Sequence, residues 1–213
     1  MMAALDLQEQ EQVETLKAWW KDNGKWVLLT LAIILGGYGG MQGWQAYKTN
    51  QALAASTLFF DLAKQVESGD PKRVNDAATA VVNSYGGSAY APRANLLAAQ
   101  INLQVGDPAR AKTQLQWVLK NASEDGLKNV ARLNLAAILL DEKSFAEAQE
   151  LLEAPHPDSY DNLYADLKGD VLIAQGKKEE ARAAYQKALD KTDSKSRYSA
   201  LIRMKLDALG GKK

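Results

Sequence analysis

The stretch ADLKGDVLIAQGKKEEARAAYQKAL, residues 165–189, consists of two segments with helical periodicity separated by a short polar turn. Small, large and turn residues alternate at six of its positions: Gly169, Leu172, Gly176, Ala181, Tyr185 and Ala188. Small residues let two helix backbones approach closely, and large residues fill the space beside that crossing. The stretch therefore predicts a pair of packed antiparallel helices.

Three further copies of this pattern precede the quoted stretch. Gly69-Asp70-Pro71 returns 37 residues later as Gly106-Asp107-Pro108. The copies of the Ala181 position are Val74, Ala111 and Ala148. Counting Ala181 itself, each of these four positions has a partner twelve residues upstream: Leu62, Ala99, Ala136 and Gly169. Each also has a partner at a distance of four residues downstream: Ala78, Leu115, Leu152 and Tyr185. A period of about 34 residues with this pattern is typical of tetratricopeptide repeats, so the sequence predicts an all-α stack of about four helix pairs.

Turn chemistry supports this organisation. Asp70 and Asp107 are predicted N-caps of helices whose first residue is a proline, a position where the missing amide costs nothing. The third copy is less regular, because Lys143 replaces the turn glycine and Pro155 replaces the final small residue. The segment SKSRYSALIRMKLDALGG, residues 194–211, predicts one more amphipathic helix that caps the stack.

A membrane-spanning helix is predicted before the repeats. The run from Trp26 to Tyr47 has 22 residues without a charge, and at about 1.5 Å per residue it spans roughly the ~30 Å hydrocarbon core. The predicted organisation is a tail at residues 1–25, a span at 26–47 and a repeat domain at 48–213. A cleaved signal peptide and a buried core helix are the alternatives. More lysines precede the span than closely follow it, which predicts a cytoplasmic tail and a translocated repeat domain.

Glycines form one stripe in the second half of this span: Gly36, Gly39, Gly40 and Gly43. Their small-xxx-small spacing lets another membrane helix approach closely, so the stripe is a predicted packing face. The alternative is that glycine is simply frequent in membrane helices.

The composition predicts little chemistry of its own. The chain has no cysteine and one histidine, His156, which lies in a predicted exposed loop. Neither a thiolate site nor a histidine pair for zinc can be built, so we expect no catalytic residue, metal or cofactor and no small-molecule substrate. With 26 basic and 26 acidic residues the chain lacks the basic excess that nucleic-acid binding requires.

The first helices of the predicted pairs line a concave face suited to binding polypeptide. On it we place a candidate partner-binding groove: Arg93, Leu96, Gln100, Leu133, Leu140, Asp166 and Asp170. The alternative is that the leucines belong to the core and the charges are solvated. In the tail, Val13, Leu16 and Trp20 share a predicted helical face that ends at Asn23-Gly24.

Several segments resemble the YfgM family of bacterial inner-membrane proteins: EQVETLKAWWKDNGKW at 11–26, SYGGSAYAPRANLLAAQ at 84–100, the stretch quoted first, and RMKLDAL at 203–209. The resemblance implies a single-pass inner-membrane protein with a cytoplasmic N-terminus and a periplasmic tetratricopeptide-like domain. It also implies an ancillary subunit of the SecYEG translocon that works with the periplasmic chaperone PpiD. A cell-envelope scaffold or stress-signalling regulator that acts through the tail is the alternative function.

Overall fold

The computed structural model of the chain describes the backbone of residues 2–210 and the side chains of residues 9–210. The outer ends of the expected tail and repeat domain, residue 1 and residues 211–213, lie outside the described residues. Over the described range every regular element is helical, so the all-α prediction is confirmed. The α-helices are α1 Met2–Ser68, α2 Pro71–Tyr85, α3 Tyr90–Gln104, α4 Pro108–Asn121, α5 Asp125–Asp141, α6 Phe145–Glu153, α7 Asp161–Ala174, α8 Lys178–Asp190 and α9 Arg197–Ala208.

The chain divides into two compact units, Met1–Gln51 and Ala52–Lys213. The first contains the apolar part of α1, whose side chains are exposed. Between Glu9 and Ser68, α1 has one stretch that is long and apolar enough to cross a membrane, by length and composition. The expected boundaries at residues 25 and 47 both fall inside α1, so they stay predictions.

Burial in the second unit confirms the predicted repeat register. The twelve positions that define the register are all buried: Leu62, Ala99, Ala136 and Gly169 on the first helices, and Val74, Ala78, Ala111, Leu115, Ala148, Leu152, Ala181 and Tyr185 on the second helices. The last part of α1 packs its Leu62 with α2 and α3, so the first repeat takes its first helix from α1. Three apolar clusters follow one another along the stack, as expected where each pair contacts its neighbours.

The predicted N-caps are confirmed. The Asp70 carboxylate accepts from the amide of Lys72 at 2.9 Å, and the Asp107 carboxylate accepts from the amide of Arg110 at 3.0 Å. Each proline that follows the cap opens its helix, α2 or α4.

All four turns within the helix pairs use the left-handed backbone region. Gly69, Gly106 and Gly176 have φ of 70°, 79° and 80°, and Lys143, at the same position of the third pair, has φ of 61°. Glycine adopts this conformation without the Cβ clash that other residues have. The third turn therefore retains the shape of the others although its residue disfavours that shape.

Replacing Lys143 with glycine is expected to raise the free energy of unfolding by about 0.5–1 kcal/mol. Relief of the left-handed strain, about 1–2 kcal/mol, exceeds the added freedom of the unfolded chain, about 0.4–1 kcal/mol. Thermal unfolding of the full chain in mild detergent measures the change. The control is Lys177→Gly, because Lys177 has a φ of −86° and should only lose stability. A lower melting temperature for Lys143→Gly would contradict this account of the turn.

The predicted end of the tail helix at Asn23-Gly24 is wrong, because α1 continues through both residues. Glycine ends a helix when it adopts a positive φ, and Gly24 does not do so. The Trp20 ring instead lies over Gly24, where a Cβ would come within 3.0 Å of the indole. The Asn23 amide donates back to the Trp19 carbonyl at 3.1 Å, and the apolar run that follows extends the helix.

Candidate protein-interaction site

A cleft of about 590 Å³ lies on the side of the repeat stack where α3 and α5 face each other. Arg93, Leu96, Gln100 and Gln104 line it from α3 at the spacing of one helical face. Residues from three other helices complete its lining: Phe59 of α1, Leu115 of α4, and Val130 and Asn134 of α5. Three members of the predicted groove therefore share one cavity.

The lining of this cleft is apolar with an amide rim. Leu103 and Val130 keep 37% and 39% of their surface exposed, although both are large aliphatic side chains. Gln100 and Gln104 are exposed, and side-chain amides can donate to and accept from a peptide backbone. The cleft thus offers apolar surface together with hydrogen-bonding groups that carry no charge.

Arg93 is neutralised within the chain. Its guanidinium donates two hydrogen bonds to the Glu124 carboxylate, both at 2.8 Å, in the bidentate arrangement favoured by this pair. The hydrogen bond to Glu124 raises the pKa of Arg93, and the same bond lowers the pKa of Glu124. Arg93 therefore positions the start of α5 against α3 and does not present a free cation to a ligand.

The other predicted groove residues lie elsewhere. Leu133 and Leu140 are half-buried and pack against the apolar cluster around α4, α5 and α6. Asp166 and Asp170 lie on α7 and are covered by the C-terminal helix α9. The cleft therefore contains Arg93, Leu96 and Gln100, whereas the other four predicted groove residues do not line it.

Asp166 and Asp170 form an ionic cluster with Lys205 of α9. The Lys205 ammonium lies 2.9 Å from Asp166 and 2.8 Å from Asp170. The hydroxyl of Tyr198 donates to Asp166 at 2.8 Å, and that of Tyr185 donates to Asp170 at 2.7 Å. This cluster fastens the predicted capping helix to the last repeat, and Arg182 adds a hydrogen bond to the carbonyl of Leu209 at the end of α9.

Burial, followed by the hydrogen bonds to the carboxylates, raises the pKa of Tyr185 and of Tyr198. Burial lowers the pKa of Lys205, but the hydrogen bonds to Asp170 and Asp166 together outweigh it and leave that pKa raised. All three groups are therefore more easily deprotonated in the unfolded chain. Their contribution to stability is fully present below the unfolded values, about 10 for tyrosine and about 10.4 for lysine, and is lost at higher pH.

We therefore expect the melting temperature of the full chain to fall steadily as the pH rises above about 10. The fall should be shallower in Tyr198→Phe, which removes one of the three ionising groups. Calorimetry between pH 8 and pH 11.5 measures both slopes. A flat profile, or equal slopes for the two proteins, would rule out this role of the cluster.

The prediction that His156 is an exposed loop residue is wrong. Its side chain is only 17% exposed, and its ring stacks on Tyr164 with the centroids 3.8 Å apart. Nε2 lies 3.2 Å from Asp161 and Nδ1 lies 2.9 Å from the Ala154 carbonyl oxygen. The Tyr164 hydroxyl in turn donates to Asn129 of α5 at 2.7 Å. Sequence reasoning missed these contacts because the partners become neighbours only when α5, α6 and α7 pack.

A buried amide network also escaped the sequence analysis. Asn75 of α2 and Asn102 of α3 exchange two hydrogen bonds of 2.8 and 2.9 Å, and Gln114 of α4 joins both of them. Buried amides are tolerated when they are hydrogen-bonded in this way. In the sequence these residues are ordinary polar positions of three helices, so no local pattern marks them as partners.

The glycine stripe of α1 presents backbone to its surroundings. Added Cβ atoms at Gly36, Gly39, Gly40 and Gly43 would meet no atom within 4 Å in the part of the chain that the structure describes. Toward the end of the predicted span Trp44 and Tyr47 stack at 6.0 Å, and the Lys48 ammonium lies 5.4 Å from the Trp44 ring. This part of α1 thus combines the exposed glycine stripe with aromatic residues near the end of the predicted span.

Comparisons with known proteins cover nearly the whole chain. The tetratricopeptide repeat-like domain family matches residues 17–211. A Neisseria gonorrhoeae protein named ancillary SecYEG translocon subunit is 30% identical over 207 residues, which are 97% of this chain and 99% of the relative. The Escherichia coli K12 protein of the same name is 27% identical over 201 residues, 94% of this chain and 96% of the relative. No solved structure matches. The chain therefore belongs to the tetratricopeptide repeat-like family and, within it, to the family of ancillary SecYEG translocon subunits.

Proposed function

We propose that the chain is a membrane-anchored protein-interaction subunit that associates with the SecYEG translocon. The observation that carries this proposal is the full-length similarity to relatives named for that association. The same chain combines an apolar helix suited to a bilayer with a repeat stack that has an open cleft. It supplies no catalytic step; it holds other proteins near the channel.

The proposed topology is a single pass of the inner membrane, with the tail in the cytoplasm and the repeat domain in the periplasm. The exposed apolar run of α1 supports the anchor, because 22 uncharged side chains outside any core require a non-aqueous partner. The excess of lysines before the span supports the orientation.

The cleft between α3 and α5 is the proposed contact for a periplasmic partner, a chaperone of the PpiD type or a translocated polypeptide. Phe59, Leu103 and Val130 would bury apolar side chains of that partner. This surface includes Arg93, Leu96 and Gln100. It is supported from the adjoining apolar cluster by Leu133 and Leu140. The capping helix α9 is held in place by Asp166 and Asp170. Because Arg93 is already paired with Glu124, the cleft favours uncharged segments over a carboxylate terminus.

Charge placed in the cleft is expected to abolish binding of the periplasmic partner and leave the translocon association intact. In Leu103→Asp/Val130→Asp the partner would have to desolvate two carboxylates without a counterion, which should weaken binding at least tenfold, or about 1.4 kcal/mol. Photocrosslinking from position 104 in intact membranes measures contact with the periplasmic partner. Co-purification with SecYEG in mild detergent measures the translocon association.

The control for this pair is Val105→Asp, which introduces one carboxylate at a side chain that is 52% exposed and does not line the cleft. It should retain the crosslinks. If the double variant crosslinks as strongly as the wild type, the cleft is not the contact surface.

A cell-envelope scaffold or stress-signalling regulator that acts through its tail is the second candidate. It is favoured by three large apolar tail residues that remain exposed, Val13, Leu16 and Trp20. Deleting residues 2–20 separates the candidates. Translocon association survives the deletion if the membrane helix and the repeats carry the function, whereas a regulatory output is lost if the tail carries it.

A further inference from the structure

The capping helix α9 has an apolar side that the repeats do not cover. Its inward side packs against α7 and α8 through Tyr198, Ile202 and Leu206. Leu201 and Met204 keep 41% and 62% of their surface exposed, although both side chains are large and apolar. They belong to the outer α9 face, a set of exposed residues at the spacing of one helical side: Arg197, Ala200, Leu201, Met204, Asp207 and Ala208.

The outer α9 face carries one charge of each sign, near opposite ends of the helix. Arg197 is the first residue of α9, and Asp207 lies in its last turn. Within residues 9–210 neither side chain forms an ion pair. A helix disfavours a cation at its N-terminus and an acid at its C-terminus. Both charges of this face therefore lie at the end of α9 that disfavours them.

A second α9 that runs antiparallel to the first reverses both disadvantages. With the two-fold axis level with position 202, Arg197 lies opposite the partner's Asp207, and Ala200 lies opposite the partner's Met204. Each charge then has a counterion and lies beside the helix end that favours it. Each large side chain likewise meets a small one. The outer α9 face is thus complementary to itself, as a contact about a two-fold axis requires.

We propose that the outer α9 face binds the same face of a second copy of this chain, as an antiparallel pair of α9 helices. One side of a 12-residue helix buries less than the roughly 1,200–2,000 Å² of a stable complex. The pairing therefore depends on confinement of both copies in one membrane, which raises their effective concentration. In this respect it rests on the proposed membrane anchor.

The contact is separate from the surfaces described above. No residue of α9 lines the cleft between α3 and α5. Arg203, the other exposed charge of α9, lies to the side of the outer α9 face, where it lines a cavity between α8 and α9. Self-association through α9 and binding of a partner in the cleft therefore use different residues.

Single-cysteine variants of the full-length chain provide the test, because the sequence contains no cysteine. Each variant is reconstituted as the only protein in vesicles of phosphatidylethanolamine and phosphatidylglycerol and treated with a short, membrane-permeant bismaleimide. In the proposed pair the two thiols of Ala200→Cys are offset by only about 6 Å along the helix axes. The matched control is Ala146→Cys, at an exposed alanine of α6, which measures random collisions. Covalent dimer should form severalfold faster with Ala200→Cys.

Charge variants in the Ala200→Cys background identify the occupant of the face as a second copy. Arg197→Asp or Asp207→Arg replaces two contacts between opposite charges with two contacts between like charges, so the dimer yield should fall about tenfold. The double variant Arg197→Asp/Asp207→Arg restores both contacts between opposite charges and should recover the yield. An equal mixture of the two single variants should recover it as well. Each single substitution suits its end of α9, so unwinding of the helix does not account for a loss.

Two results in vesicles would overturn the proposal: equal dimer yields from Ala200→Cys and Ala146→Cys, or a double charge variant that crosslinks no better than the single variants. In native membranes, a dominant adduct between position 200 and a different protein would overturn it too and would assign the outer α9 face to that protein. The vesicles contain no SecYEG, so failure of the pairing there is distinct from failure of the proposed translocon association.

Discussion

Replacing Gly36, Gly40 and Gly43 with leucine is expected to abolish co-purification of SecYEG while the chain stays in the membrane. The three positions are spaced by four and then three residues, so they lie on one side of α1, and no atom of the described residues comes within 4 Å of a Cβ placed at any of them. Lipid tails remove the hydrophobic drive between membrane helices, so close packing at small residues must supply the contact. Three leucine side chains would prevent a partner helix from approaching the glycine stripe closely.

The expected loss of recovered SecYEG is more than tenfold, because each factor of ten requires only about 1.4 kcal/mol of lost packing. Leucine favours insertion more than glycine does, so carbonate-washed membranes should retain the variant fully. The matched control replaces Ile34, Tyr38 and Met41 with leucine, at the same spacing on the opposite side of the helix. Recovery of SecYEG at the wild-type level from the glycine variant would show that the stripe is not an interface and leave the repeats to carry the association.

Replacing Gly169 with leucine is expected to disrupt the last repeat and to lower the free energy of unfolding by about 3 kcal/mol or more. A Cβ at Gly169 would clash with the ring of Tyr185, which packs across the crossing of α7 and α8. Tyr185 cannot move aside easily, because its hydroxyl is bound to Asp170 at 2.7 Å. Denaturant unfolding of the full chain in mild detergent measures the loss.

Two comparisons make this result specific. Gly126→Ala places a Cβ 3.5 Å from the Tyr160 hydroxyl, an ordinary contact, and should cost nothing because alanine favours a helix. In the second, Tyr185→Ala removes the obstructing ring, so the double variant Gly169→Leu/Tyr185→Ala should be more stable than the sum of the single losses predicts. Additive losses, or an unchanged unfolding midpoint for Gly169→Leu, would mean that the helices do not cross at these residues.

The pair Gly169 and Tyr185 illustrates what the sequence alone could predict. Small and large residues recur at a fixed period, so the helix pairs, the register and the turns follow from local spacing. Even the exception at Lys143 was predictable as a turn, because the residues around it keep the register. The predicted capping helix was likewise visible as an amphipathic pattern, although its attachment through Lys205 was not.

Features that depend on distant partners were not predictable in the same way. Lys205 is 39 residues from Asp166, and Asn75 is 39 residues from Gln114, so no local pattern pairs them. The predicted groove was composed of residues at equivalent positions on the first helices of the repeats. In the structure α9 covers Asp166 and Asp170. Leu133 and Leu140 pack against the apolar cluster. The predicted end of the tail helix at Asn23-Gly24 relied on the tendency of asparagine and glycine to end helices. In the structure the Trp20 ring covers Gly24 and α1 continues.

Photocrosslinking from the membrane helix in intact cells tests the proposed association most directly. A photoreactive residue at position 29, where a leucine of similar bulk already stands on the same side of α1 as the glycine stripe, should form an adduct with a SecYEG subunit. The same residue at position 34, on the opposite side of α1, should form little or none. Adducts with SecYEG at position 29 alone are the result that we predict. The absence of SecYEG adducts from both positions, with the full-length chain present in the membrane, would contradict the proposal that this helix holds the chain at the translocon.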